Sequence, residues 1–288
     1  MVGDASVLKS LGGAVIIKTM NRTILDQIRA ADIRGASASE MKRLYLQLCA
    51  IDLKLKEPIH RIFQLNYLRE DIENKRLTHV RVSPANWGDP YENPLLRREF
   101  TENTGTTVSL EELCSSLFGI CWTGDSQESH DQWNAFSHGK LALRVSTTAE
   151  KLLAGVMNIE NPFYMLSHFL GKVSYYAQRD IDQWLQDSDY QDFVDSLGQR
   201  FASAMLVLRE CFEEEQEARL LYWYSPKRND WVRQHVKIEG ELCRVPFDWR
   251  GVMDVVTTAP GISNYEFAEI QRFFGKLNVK CVPRQIPY

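Results

Sequence analysis

The chain has 288 residues, 44% of them hydrophobic and 25% charged, with a formal net charge of −4. That composition excludes wholesale disorder, because there is ample apolar side chain for a core. The mild acidity excludes a protein held on nucleic acid by broad electrostatic attraction, although a local basic strip stays open.

The six cysteines, Cys49, Cys114, Cys121, Cys211, Cys243 and Cys281, are scattered without a CxxC pair. Reduced thiols and no structural zinc are therefore expected. No segment reaches the roughly 18 apolar residues that span a bilayer. The apolar patch Ala14–Ile17 is short and lacks a basic leader, so a soluble cytoplasmic chain with no membrane partner is expected.

From about Asn21 to Lys56 the sequence reads as helical. Ile24–Ile33 predicts one helix ended by Gly35, and Met41, Leu44, Leu48, Ile51 and Leu55 fall on one face of a second, capped by Ser37 or Ser39. Pro58 closes this part, which gives a helical N-terminal extension, 1–57, and an α+β domain, 58–288.

Beyond Pro58, strands are expected at Ile59–Phe63, Leu77–Val82, Phe118–Trp122, Lys140–Val145 and Lys172–Tyr176, and helices at Asn66–Asn74, Ser109–Leu117, Ser126–Phe136 and Thr148–Met157. Ser83–Pro94, with three prolines and a glycine, is a structured loop. A long helical tract is expected from Ile181 to Glu214, then a hairpin of Ala218–Tyr224 and Val232–Lys237 turning at 225–230. A strand at Val252–Thr257, a helix at Tyr265–Leu277 and a last strand at Val279–Val282 follow. Strands in pairs without regular βαβ alternation argue α+β, with a compact mixed or antiparallel sheet. There is no GxGxxG and no GxxxxGK[ST], so neither a Rossmann nor a P-loop site is supported.

Several local patterns occur in order: Arg81-Val82-Ser83-Pro84 with Trp87-Gly88-Asp89-Pro90-Tyr91-Glu92, then Cys121-Trp122, Glu128-Ser129 and Trp133, then Glu215-Gln216-Glu217-Ala218-Arg219, then Ala259-Pro260 and the closing Arg284–Tyr288. Together they resemble the bacterial domain-of-unknown-function family 2971 over about Pro58 to Tyr288, which implies no chemistry. Gly88 and Gln132 depart from that pattern. A second set resembles ADP-ribosyltransferases that carry an arginine on an early strand, Ser-Thr-Ser on a middle strand and Glu-x-Glu near a later one. Here these are Arg61, Ser146-Thr147-Thr148 and Glu215-x-Glu217, with Thr148 replacing the last serine.

That second resemblance implies a compact ADP-ribosyltransferase-like sheet and NAD as the substrate. Glu217 would stabilise the positive charge that builds on ribose as nicotinamide leaves, as in glycoside cleavage. Glu215, two residues away on a strand and so on the same face, would orient or deprotonate the acceptor. Arg61 would clamp the pyrophosphate with its fork of donors. Ser146 and Thr147 would hold the glutamate or a ribose hydroxyl, Tyr175 or Tyr176 would stack on nicotinamide, and Trp87 and Asp89 would line the cleft.

Each residue has a plainer reading. On it, Glu217 pairs with Arg219 across the strand, Ser-Thr-Thr caps the following helix, and Trp87 anchors its loop while Asp89 and Glu92 accept backbone N–H groups. The function expected is transfer of ADP-ribose to a protein or nucleic acid by a toxin or antiviral effector, restrained by a neutralising antitoxin, with RNA or DNA as acceptor. Two alternatives stay open. One is a metal-dependent nuclease using Asp89, Glu92, Glu128 and Asp131; the other is a non-catalytic nucleotide-binding or interaction module.

Overall fold

The computed structural model describes residues 22–96, 98–101, 105–126, 130–157, 167–227 and 229–283. The chain opens with α1 (Arg22–Ile33) and α2 (Ala38–Cys49). Ser37 caps α2 by accepting from the Glu40 N–H, as its position predicts. Leu44 and Leu48 pack with Ile28 and Ala31 of α1, whereas Leu46 and Cys49 enter the main core. Ile51 and Leu55 lie beyond the helix, because the chain turns into β1 (Ala50–Ile51).

There follow β2 (Pro58–Gln64), α3 (Leu65–Glu73), β3 (Arg76–Arg81) and the one-turn α4 (Pro84–Trp87) within the proline-rich loop. Next come β4 (Glu99–Thr101), β5 (Thr107–Ser109), α5 (Glu111–Ser115), β6 (Leu117–Thr123), α6 (His130–Ser137), β7 (Ala142–Thr148) and α7 (Ala149–Gly155). The second half holds β8 (His168–Lys172), β9 (Ser174–Tyr176), α8 (Gln178–Asp187), α9 (Gln199–Ala204), β10 (Val207–Arg209) and β11 (Glu217–Trp223). It ends with α10 (Asp230–His235), β12 (Lys237–Glu239), β13 (Leu242–Pro246), β14 (Val255–Thr258), α11 (Asn264–Gly275) and β15 (Lys280–Val282).

The fold is mixed α/β with a mostly antiparallel central sheet and helices at its N-terminal end. Among the described residues the sheet has eleven strands in the order β1-β8-β11-β6-β2-β7-β14-β15, with β3, β13 and β12 branching from β6. The branch matters most for function. One edge of β6 pairs with β3 at Gly119 and Phe118 but with β2 only at Thr123, opposite His60. The sheet therefore forks, and the β6 edge between those contacts faces a wedge. Gly119 sits at the fork, where an added Cβ would lie 3.1 Å from Val82 and 3.2 Å from the Trp87 ring.

Two further expectations fail. The tract from Ile181 to Glu214 is not one helix: it breaks into α8, a 3-10 turn, α9, β10 and a second 3-10 turn. The breaks have sequence causes, with Asp189 capping the first short turn and Gly198, at φ +79°, starting α9. The hairpin of residues 218–237 is also absent. β11 pairs instead with β6 and β8, and Asn229 caps α10 by accepting from the Val232 N–H, which converts the expected second strand into helix. The apolar β11, buried on both faces, belongs in the middle of a sheet rather than at a hairpin edge.

Candidate functional site

Strand parity builds the site. In β2, Ile59 and Phe63 enter the main core, so His60 and Ile62 face the other way. In β7, Leu143 and Val145 face the same core, and Arg144 and Ser146 face away. The register sets His60 opposite both Ser146 and Thr123, and Arg219 of β11 opposite Cys121 of β6. His60, Ser146, Arg144, Thr123, Cys121, Glu217 and Arg219 consequently share one face. A narrow pocket of about 50 Å³ opens there, lined by His60, Arg61, Cys121, Thr123, Arg144, Glu215 and Glu217, with Ile62, Trp122, Gln132 and Phe136 as its apolar and amide walls.

Arg61 belongs to the opposite parity. Its guanidinium lies 5.0 Å from the Phe63 ring centroid and donates through Nη1 to the Cys121 carbonyl on the open edge of β6. It fills the wedge at the fork and lines both this pocket and an adjoining cavity of about 450 Å³ that includes Tyr67, Arg76 and Arg244. Its Nε is buried without a hydrogen-bond partner. Burial lowers the Arg61 pKa, opposed by Cys121 and Glu217 nearby.

Glu217 is 4% exposed. Its Oε2 accepts from Arg219 Nη2 at 2.9 Å, and its backbone N–H donates to the Tyr175 hydroxyl at 2.8 Å. Glu215 lies at the end of a 3-10 turn, not on the strand, and Gln216 between them is left-handed at φ 42°. The expectation that both carboxylates share a face by strand alternation is therefore corrected. A turn, not a pleat, brings them to one pocket. Partial burial, then the Glu217 charge, pushes the Glu215 carboxyl above its ordinary value. Burial raises the Cys121 thiol well above its usual value, reinforced by Glu217, so it is a poor nucleophile.

Ser146 shares a 2.8 Å hydrogen bond with His60 Nδ1. His60 Nε2 is buried with no partner. Burial, then the Arg144 charge, lowers the His60 pKa to about 4, so the ring is neutral at pH 7. Thr147 points to the other face and donates to the Val252 carbonyl at 2.6 Å, which takes it away from the pocket. Thr148 caps α7 by accepting from the Lys151 N–H. Tyr175 meets the Glu217 backbone rather than lining the pocket.

Trp87 and Asp89 lie behind the site. The Trp87 indole donates to the Arg81 carbonyl at 3.0 Å and its ring faces the Arg219 guanidinium at 4.7 Å. Asp89 pairs with Arg209 at 2.9 Å and accepts from the Tyr91 N–H at 3.0 Å. Glu92 binds Arg219 through both oxygens, at 2.6 and 2.7 Å. Arg219 is fully buried; desolvation opposes its charge, but Glu217 and Glu92 outweigh it and raise its pKa. The two loop carboxylates offered for magnesium are thus each engaged by an arginine. Glu128 and the closing Arg284–Tyr288 lie outside the described residues, as does the Asp131 side chain. No group of three or more metal-ligating side chains occurs among the described residues.

The residues that sequence reading missed are His60 and Arg144. Both were legible by parity, since each is a polar residue on the strand face opposite a run of core positions.

No protein-family model matches the chain, so the motif resemblance to family 2971 gains no support from one. No curated protein matches it either. Two solved structures resemble the chain at low similarity. Thermus sp. 2.9 DarT in complex with NAD+ has a TM-score of 0.35 and 12% identity, over 81% of this chain and 98% of that chain. Thermus sp. 2.9 DarT in complex with ADP-ribosylated ssDNA has a TM-score of 0.36 and 11% identity, over 81% of this chain and 96% of that one. No helix among the described residues is long and apolar enough to cross a membrane.

Proposed function

We propose that the chain transfers ADP-ribose from NAD to a macromolecular acceptor, with Glu217 as the group that stabilises the reacting ribose. One observation carries the reading: the acidic pair and the early-strand arginine, far apart in sequence, line a single pocket. In the proposed reaction the C–N bond between nicotinamide and ribose C1′ breaks, and nicotinamide leaves with the electron pair. The acceptor oxygen or nitrogen bonds to C1′ and gives up its proton to Glu215, whose raised pKa suits it to hold one.

Glu217, desolvated and fixed, lies where charge on ribose would be felt strongly. The donors of Arg61 and the unpartnered Nε2 of His60 supply polar contacts to phosphate or hydroxyl oxygens. On the same reading the fold is ADP-ribosyltransferase-like, the chain divides at residue 57, an antitoxin docks on the helical N-terminal part, and RNA or DNA is the acceptor.

The test is nicotinamide release from NAD. The native protein is expected to release it without added metal, and Glu217→Gln to lower the rate about 100-fold, the usual scale for losing one preorganised electrostatic contact. Equal rates in both proteins would remove Glu217 from the chemistry. Binding of NAD with no release by the native protein would favour the non-catalytic module instead.

A further inference from the structure

Glutamate has three rotatable side-chain bonds, so a carboxylate that acts by electrostatic preorganisation must be held. Glu217 is held through a chain of contacts that begins outside the pocket. Arg219, two residues along β11 and on the same face, spends Nη2 on Glu217 Oε2 at 2.9 Å and on Glu92 Oε1 at 2.6 Å. Its Nη1 donates to Glu92 Oε2 at 2.7 Å and to the Met205 carbonyl at 3.1 Å. The bidentate contact with Glu92 fixes the plane of the guanidinium, because a planar fork and a planar carboxylate meet in one orientation. The Trp87 ring covers its face. Glu92 is 4% exposed and Arg219 1%, and neither lines the pocket.

We propose that Glu92 and Arg219 are positioning residues that aim the Glu217 carboxylate, engaging one oxygen and leaving the other to the pocket. This rests on the reading of Glu217 given above. It also gives the loop after β3 a task. Trp87 and Glu92 are supplied by that loop, and they reach the site only through Arg219. Without Glu92, Arg219 would be a buried cation with a single carboxylate partner, and Glu217 would turn both oxygens toward it and away from the pocket.

Two measurements on the full chain test the proposal. The first is a crystal structure of Glu92→Gln, which needs no NAD chemistry. Glu217 is expected to rotate onto Arg219, moving its pocket-facing oxygen by about 1 Å or more; an unmoved Glu217 overturns the proposal. The second is a double-mutant cycle in nicotinamide release. Glu92→Gln alone should lower kcat about 10- to 100-fold, the scale of a small misplacement, with KM for NAD and the stoichiometry of NAD binding unchanged. Added to Glu217→Gln it should cost nothing further, because residues acting as a unit are not additive.

An equal loss in both backgrounds marks a purely structural role and overturns the proposal. Full turnover in Glu217→Gln defeats the functional reading instead, and the crystallographic arm still decides the positioning. Should Glu92→Gln fail to fold, Trp87→Phe, which keeps an aromatic face over Arg219 but loses area, is expected to give a smaller loss with the same non-additivity.

Discussion

At the residue scale, the site is organised by who neutralises whom. Glu217 and Glu92 face Arg219, and Asp89 faces Arg209. Removing one partner from a buried pair leaves an uncompensated charge, which costs about 3–5 kcal/mol. Arg219→Met is therefore expected to lower the unfolding midpoint in urea markedly, whereas the exposed pair of Lys227 with Glu112 should contribute less than about 1 kcal/mol. Comparing Arg219→Met with Lys227→Met by urea denaturation checks both values. The sequence made Glu217, Glu215 and Arg61 legible as a set, because motif order survives without any knowledge of side-chain direction. It also offered the pairing of Glu217 with Arg219 as a rival to catalysis. The structure has Glu217 both paired and lining the pocket, so the two readings were never exclusive. The part played by Glu92 was hidden, since a partner more than a hundred residues away leaves no local pattern.

At the scale of elements, parity and capping decide the outcome. β2 and β7 were legible as strands, and the alternation inside each already separated His60, Arg144 and Ser146 from Ile59, Val145 and Thr147. The long tract after Ile181 was misread because helix propensity says nothing about short strands drawn into tertiary pairing, such as β10 beside β9. The 215–217 turn was missed for a related reason. Only a left-handed Gln216 lets a 3-10 turn feed directly into β11, and sequence seldom announces a non-glycine residue at positive φ. The fork at β6 is equally specific. Gly119→Ala would press a methyl against Val82 and Trp87, so a loss of about 1–3 kcal/mol is expected from overpacking. Because Trp87 covers Arg219, turnover should fall as well; a variant with native thermal stability and rate would show that the fork tolerates the methyl.

At the scale of the whole molecule, two buried histidines link the fold to pH. Burial lowers the pKa of His79 to about 3 and that of His60 to about 4. The folded state keeps both rings neutral, while the unfolded chain takes up protons below about 6.5. Their stabilising effect is complete above that value and declines as the pH falls toward the folded pKa values, by at most about 1.4 kcal/mol per pH unit for each ring. Asp71 and Glu92, whose carboxyls burial pushes upward, act in the opposite sense. Stability measured by urea unfolding should fall from pH 6.5 to 4, with a smaller slope in His79→Asn; an unchanged slope would show that His79 does not titrate on unfolding. The N-terminal helices were readable from hydrophobic period, and the mixed sheet from strands in pairs without regular βαβ alternation. The branching of that sheet was not, because it depends on pairings between distant strands. Every proposed step of the reaction takes place in the pocket at the fork. A crystal structure of Glu217→Gln with NAD measures it most directly. The nicotinamide ribose is expected within hydrogen-bond distance of residue 217, with Arg61 and His60 on the same ligand; a dinucleotide bound elsewhere, with residue 217 facing only Arg219, would remove the pocket from the chemistry.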